Sequence, residues 1–274
     1  MSAPLTTTPE VRGFLKDVLN GEVRSHVERC RIHGDYQATL MPNGKYSGCP
    51  GCIDEDMRKE EERQMLEFNR LRKIRGLRNG AKVPKRFQSR TLDNFIAETD
   101  KQRHVLKVCR AYVDRFDDRL EQGGGLILLG SVGTGKSHLA YGIGNALLEQ
   151  ERSVMGIDVY ELMDLIKEKA FSKESGSSER AAIKSFVSGL DLLILDEIGA
   201  QLGTDWESLM LFKIINERYK QMLPTILISN LDRQALGEYL GERIVDRMQE
   251  GGGATLTLDW ESYRSKRSKG GSHA

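Results

Sequence analysis

The sequence predicts an α/β fold, a parallel sheet between layers of helices, with a small stapled module in front of it. Two observations carry this. Short apolar runs at residues 126–129, 154–159, 190–195, 225–229 and 254–258 alternate with longer helical stretches. Strands that alternate with helices form a parallel sheet covered on both faces, and the first four runs are apolar enough to be buried on both. Ahead of them, three of the four cysteines fall within residues 30–52. That segment has few apolar residues and needs a staple to fold.

The chain has 274 residues, enough for a main domain and an appendage. Its 39% apolar and 30% charged content is that of a globular protein. A net charge of +1 carries no global nucleic-acid signal, so any such signal is local. No apolar run approaches the ~18 residues of a membrane span, and the start, Met-Ser-Ala-Pro-Leu-Thr, is no signal peptide. The expectation is a cytoplasmic protein with no membrane partner. In a reducing compartment clustered cysteines point to a metal before a disulfide.

In chain order, residues 1–25 are weakly patterned and helical from about Pro9. Residues 54–78 read as one exposed, charged helix whose sparse apolar residues are Met57, Met65, Leu66, Phe68, Leu71 and Ile74. Arg70 to Arg90 carries nine Lys or Arg and no acid. This stretch suits a nucleic-acid backbone by counterion release, an acidic protein partner, or simply a solvated helix end. Asn79-Gly80 and Pro84 break the helix. Residues 101–119 form an amphipathic helix with Val105, Leu106, Val108, Tyr112, Val113 and Phe116 on its apolar face. The tail after Tyr263 is basic, Gly/Ser-rich and expected to be disordered. The organisation is therefore 1–53, a zinc-binding region; 54–86, a charged helix and basic linker; 87–264, the α/β domain; and 265–274, the tail.

Gly130-Ser131-Val132-Gly133-Thr134-Gly135-Lys136-Ser137 fits G-x-x-x-x-G-K-[ST] in full, between an apolar strand and a helix. The glycines let backbone N–H groups turn around phosphates, and the helix N-terminus adds positive potential. This is a P-loop for ATP. Lys136 is expected to reach the β- and γ-phosphates and Ser137 to bind Mg²⁺. The run 192–195 ends in Asp196, a Mg²⁺ ligand, and Glu197, placed to polarise a water for attack on the γ-phosphate. The run 225–229 ends in Asn230, which would contact the γ-phosphate or that water.

Cys30-x-x-His33 and Cys49-x-x-Cys52, fifteen residues apart, supply a closed Cys3His set for structural zinc. His26 is off the spacing, and Cys109, on an apolar helix face, is a packing residue. Arg243 and Arg247 stand four apart on one helical face. They suit phosphate contacts made across a subunit boundary or, alternatively, surface ion pairs with Glu242 or Asp246.

From Phe87 to Arg264 the chain resembles the DnaC-type helicase loaders, AAA+ ATPases whose relatives include the IstB-like transposition helpers. The resemblance rests on Gly-Thr-Gly-Lys-Ser-His-Leu-Ala (133–140), Leu-Asp-Glu-Ile-Gly (195–199), Ser-Asn-Leu (229–231), Leu-Gly-Glu-Arg-Ile-Val-Asp-Arg-Met (240–248) and Asp-Trp-Glu-Ser-Tyr-Arg-Ser (259–265). It places His138 with the nucleotide-binding residues. It implies an arginine finger at Arg247 with Arg243 beside it, and a second sensor arginine at Arg264. It also implies a helical insert over 161–188 lining a path for single-stranded DNA, and no C-terminal lid, since the chain stops ten residues after Arg264. Function by resemblance is ATP-dependent loading of a hexameric replicative helicase onto single-stranded DNA by a homo-oligomer that releases on hydrolysis. The N-terminal Cys3His module departs from the helical helicase-gripping region of that pattern, which leaves the partner open. A transposition helper acting on double-stranded DNA and an ATP-gated adaptor with little turnover are the alternatives.

Overall fold

A computed structural model describes residues 24–171, 179–200 and 204–263, together with 12, 13, 16 and 18–20. The helix expected from Pro9 lies largely, and Arg264 and the basic tail wholly, outside the described residues. Contacts divide the chain into two units, with the boundary between Leu71 and Arg72.

In the first unit, strands β1 (Ser25–Cys30) and β2 (Gly34–Thr39) form an antiparallel hairpin in which Cys30 pairs with Gly34. Gly34, at φ +78°, closes the three-residue turn that carries His33. Helix α1 (Pro50–Gly80) runs through the unit boundary. It begins four residues before the expected start at 54, because Pro50 suits a first helical position, and this puts Cys52 in its first turn. Met57, Met65, Leu66, Phe68 and Leu71 are exposed on it, as their sparse spacing implied.

The second unit is a five-stranded, wholly parallel sheet of β3 (Leu126–Gly130), β4 (Val154–Asp158), β5 (Leu192–Ile198), β6 (Thr225–Ser229) and β7 (Ala254–Leu258). Their spatial order is β4-β5-β6-β3-β7. Alternate residues face opposite cores. Leu126, Leu128, Leu192, Ile194, Ile226 and Ile228 face a layer that includes α2 (Asp100–Asp114), α3 (Phe116–Gln122) and α4 (Lys136–Glu149). Ile127, Leu129, Leu193, Leu195 and Leu227 face α5 (Val159–Phe171), α6 (Glu179–Val187), α7 (Asp205–Lys220), α8 (Arg233–Leu240) and α9 (Glu242–Arg247). The fold is thus α/β of the AAA+ P-loop kind. Among the described residues no helix is long and apolar enough to cross a membrane.

Two boundaries differ from expectation. The single helix expected over 101–119 is two helices meeting at Arg115, whose ψ of 31° leaves the helical range. No Gly or Pro marks that break; it accompanies the burial of Phe116, which is 1% exposed. The run expected to end at Leu195 continues to Ile198, because Asp196 pairs with Asp158 of β4 and Ile198 with Ser229 of β6. Helices α5 and α6, which cover 161–171 and 179–187 of the segment 161–188, pack on the sheet through Leu162, Met163, Ile166, Ile183 and Phe186.

Candidate nucleotide site and metal centre

The carboxyl ends of β3, β5 and β6 open on one cleft of about 520 Å³, where parallel sheets bind ligands. Residues 132–138 line it together with Asp196, Glu197 and Asn230. Gly133 and Gly135 have φ of +84° and +100°, which a side chain would strain. Contact adds a second reason: a Cβ on Gly135 would lie 2.7 Å from the Phe95 ring. Gly135 is also the N-cap of α4 and supplies no side-chain cap. The first-turn N–H groups thus lack the usual internal acceptor and suit an anion.

Lys136, 6% exposed, donates from Nζ to the carbonyls of Gly130 (2.7 Å) and Ser131 (2.8 Å) and to Asn230 Oδ1 (2.8 Å). The ends of two strands, β3 and β6, therefore converge on one ammonium. Asp196 is buried and accepts from the Ser137 hydroxyl and, at 2.9 Å, from the Glu197 N–H. Burial raises its carboxyl above the ordinary range and the Ser137 hydrogen bond opposes this. A hydroxyl and a carboxylate already in contact are the oxygen ligands Mg²⁺ prefers.

The register of β5 against β6 shifts between Leu195 and Ile198, so Asp196 and Glu197 together oppose one residue. Such a bulge re-aims a side chain. Glu197 takes φ +61° and is exposed at the cleft, while Asp196 beside it is buried. A non-glycine residue in that region costs of order 1 kcal/mol or more, and here the cost turns two adjacent carboxylates to different tasks. His138 lines the cleft, but its Nε2 engages Asn94 Oδ1 (2.8 Å) and the Thr91 carbonyl (3.0 Å). Burial lowers its pKa.

Comparison with known proteins names the group. Residues 59–270 match the model of the IstB-like ATP binding protein family. This chain belongs to that family. It is 33% identical over 200 residues to the replicative helicase loader DnaC of Buchnera aphidicola subsp. Acyrthosiphon pisum, covering 73% of this chain and 79% of the relative. It is 33% identical over 198 residues to the replicative helicase loader DnaC of Escherichia coli K12, covering 72% and 78%. The crystal structure of the DnaC helicase loader superposes with a TM-score of 0.55 at 25% identity, covering 64% of this chain and 99% of that one.

Not every arginine singled out by this IstB-like sequence reaches the cleft. Arg243 is exposed and Arg247 half-buried on α9, and neither lines it. The Arg247 guanidinium lies 4.9 Å from the Tyr219 ring centroid and donates to Asn216 Oδ1. Glu242, considered as their ion-pair partner, pairs with Arg233 at 2.9 Å. Within the basic stretch of the second unit, Lys73, Arg78 and Lys82 pair with Glu151, Glu149 and Glu161, whereas Arg86 and Arg90 line the nucleotide cleft.

The candidate metal centre is in the first unit. Ligand atoms of Cys30, His33, Cys49 and Cys52 lie within 4.8 Å of one another. Cys30 Sγ is 3.5 Å from Cys52 Sγ, and His33 Nδ1 is 3.4 and 3.8 Å from those sulfurs. Metal–sulfur arms of ~2.3 Å at tetrahedral angles give edges of about 3.8 Å, so the set fits Zn²⁺. The hairpin turn supplies one ligand pair and the start of α1 the other. The backbone N–H of His33, then that of Ile32, lowers the Cys30 thiol to about 6. Beside it Cys52 is raised to about 12, first by its hydrogen bond with Cys30 and then by burial. A divalent cation bound here would let both thiols lose their protons. His33 Nε2 engages Glu55 Oε1 at 3.1 Å, the outer carboxylate that fixes a ligating ring. Gly51 is required here, since a Cβ would meet the His33 ring at 2.7 Å.

Sequence reasoning missed three contributors. Asn145 on α4 donates to the carbonyls of Phe87 (2.9 Å) and Arg90 (2.7 Å), tethering the segment that borders the cleft. Arg218, wholly buried, binds the chain that leads into β5 and β6; a cation four residues after Ile214 on an apolar stripe was its signal. Trp260 donates from Nε1 to the Thr134 carbonyl at 2.9 Å.

Proposed function

We propose that this protein is an ATP-hydrolysing loader of the replicative helicase, acting in the cytoplasm during DNA replication. The observation that carries it is a complete phosphate and Mg²⁺ constellation, on a chain that spans more than three quarters of relatives named replicative helicase loader. In this reading Lys136 leaves its carbonyl partners for the β- and γ-phosphates. Residues 130–135 wrap the phosphates with N–H groups. Ser137 and Asp196 hold Mg²⁺, which neutralises phosphate charge when bound. Glu197, re-aimed by its bulge, polarises the attacking water. Asn230 senses the γ-phosphate, and its bond to Lys136 is the contact that nucleotide would exchange. Arg247, with Arg243, serves the site of a neighbouring subunit in a homo-oligomer. Arg264, by resemblance, contacts the nucleotide in its own subunit. Zn²⁺ in Cys30, His33, Cys49 and Cys52 folds residues 1–53, which engage the helicase, joined by the 54–86 segment to the 87–264 ATPase domain.

The test mixes full-length protein with the cognate replicative helicase and circular single-stranded DNA that carries a short annealed strand. ATP-dependent helicase capture, followed by strand unwinding once ATP is hydrolysed, is the expected result. Equal helicase activity with and without the protein would refute loading.

A further inference from the structure

The stretch that follows β7 lies against the phosphate loop and donates to it twice. The Trp260 indole N–H meets the Thr134 carbonyl at 2.9 Å, and the Tyr263 backbone N–H meets the Gly133 carbonyl at 3.0 Å. The approach is close enough that a Cβ on Gly133 would lie 2.0 Å from Ser262 Oγ. Asp259, at the base of the stretch, is anchored by Lys101 Nζ at 2.6 Å.

A trans peptide is planar and carries its C=O and N–H on opposite edges. A donor that captures the Thr134 carbonyl therefore turns the Gly135 N–H the other way. Capture of the Gly133 carbonyl does the same for the Thr134 N–H. Glycine at 133 and 135 leaves these peptides free to rotate, so a flanking contact must fix them. The two N–H groups belong to the loop that would wrap phosphate, whose lining includes Thr134 and Gly135. We infer that Trp260 is a positioning residue of the phosphate loop: its indole N–H orients the Thr134–Gly135 peptide for nucleotide. Nothing in the P-loop motif itself encodes this, because the donor arrives from 126 residues away. The inference rests on the reading of this cleft as an ATP site.

The test is Trp260→Phe in the full chain, which keeps a ring in the apolar contacts and removes the donor. A non-hydrolysable ATP analogue with Mg²⁺ is titrated against it. The dissociation constant should rise about fivefold, the worth of one hydrogen bond, while kcat at saturating ATP and the melting temperature stay unchanged. The chain has two tryptophans, so in Trp206→Phe protein the single indole N–H resonance is that of Trp260 and should shift as analogue binds. An unchanged dissociation constant, a rise that only tracks a fallen melting temperature, or an unmoved indole resonance overturns the inference. Where Trp260→Phe fails to fold, the indole resonance of the Trp206→Phe protein carries the test by itself. If the unsubstituted protein binds no analogue, the ATP reading fails instead, and the two failures are distinct.

Discussion

Replacing Arg218 by methionine should unfold the second unit at markedly lower temperature, and the structure sets the size of the effect. Its guanidinium is wholly buried. It donates to the carbonyls of Pro224 (2.7 Å), Phe186 (3.1 Å) and Leu190 (3.2 Å) and to Thr225 Oγ1 (3.0 Å). It thus ties the end of α6, the approach to β5 and the approach to β6 at one point. Burial lowers its pKa to about 10, so it stays protonated at neutral pH. Hydrogen bonds from a charged donor contribute about 1.5 kcal/mol each at the low end, so three carbonyl bonds sum to roughly 4.5 kcal/mol. Methionine keeps the apolar stem and removes a buried charge, which lowers the net loss to roughly 3–4 kcal/mol. At about 2–4 °C per kcal/mol for a unit of this size, the melting temperature should fall by about 10 °C. Calorimetry of both full-length proteins measures it. Arg218→Lys should recover little, since one ammonium cannot span these carbonyls. A melting temperature within about 3 °C of the unsubstituted protein for Arg218→Met would refute the reasoning.

Three further outcomes are expected. Glu197→Gln should bind ATP with unchanged affinity and hydrolyse it roughly 10²–10³-fold more slowly, read by single-turnover assay. Chelation, or Cys52→Ser, should remove one zinc per chain by elemental analysis and open residues 24–49 to protease, with ATP binding retained. The Asp196 carboxyl titrates above an ordinary aspartate because of burial. Protonation removes a Mg²⁺ ligand, so affinity for Mg²⁺-ATP should weaken as pH falls toward that raised pKa, and do so at a higher pH than in a protein whose aspartate is unshifted; calorimetric titration across acidic buffers reads it.

Much of the fold was legible because its signals are local. Leu126 to Leu129 and Ile226 to Ile228 are apolar at every position, which only a strand buried on both faces requires. The P-loop carries its glycines and its lysine in one contiguous run, and the Cys3His spacing brings together ligands that the structure holds within 4.8 Å. What was not legible depends on partners distant in sequence. The extension of β5 through Asp196 and Glu197 is decided by pairing with Asp158 and Ser229, so the bulge that separates the two carboxylates has no trace in their own neighbourhood. The contact of Trp260 with Thr134 and the role of Arg218 are tertiary in the same sense. Even a sequence that names the phosphate residues leaves unstated what holds them in place.

Under the proposed function, Arg247 is a residue outside the cleft that bears on its chemistry. Its guanidinium is half-buried over Tyr219 and bonded to the neutral Asn216, and Glu242 on its own helix is taken by Arg233. Among the described residues it forms no ion pair with a carboxylate. An aromatic face holds a cation in place without neutralising it, which keeps Arg247 available to phosphate oxygens. It does not line its own cleft, so under the proposed function only a neighbouring copy can receive it. Arg247→Ala should therefore bind ATP normally and lose hydrolysis by roughly 10³-fold. Lys136→Ala should lose binding at its own cleft yet still offer Arg247 to a neighbour. Mixed, the two variants should recover ATPase activity that neither has alone, because some clefts then hold Lys136 from one copy and Arg247 from the next. A mixture no more active than the sum of its parts would place the stimulating arginine in the same chain as the cleft, and the assembly reading would fall with it.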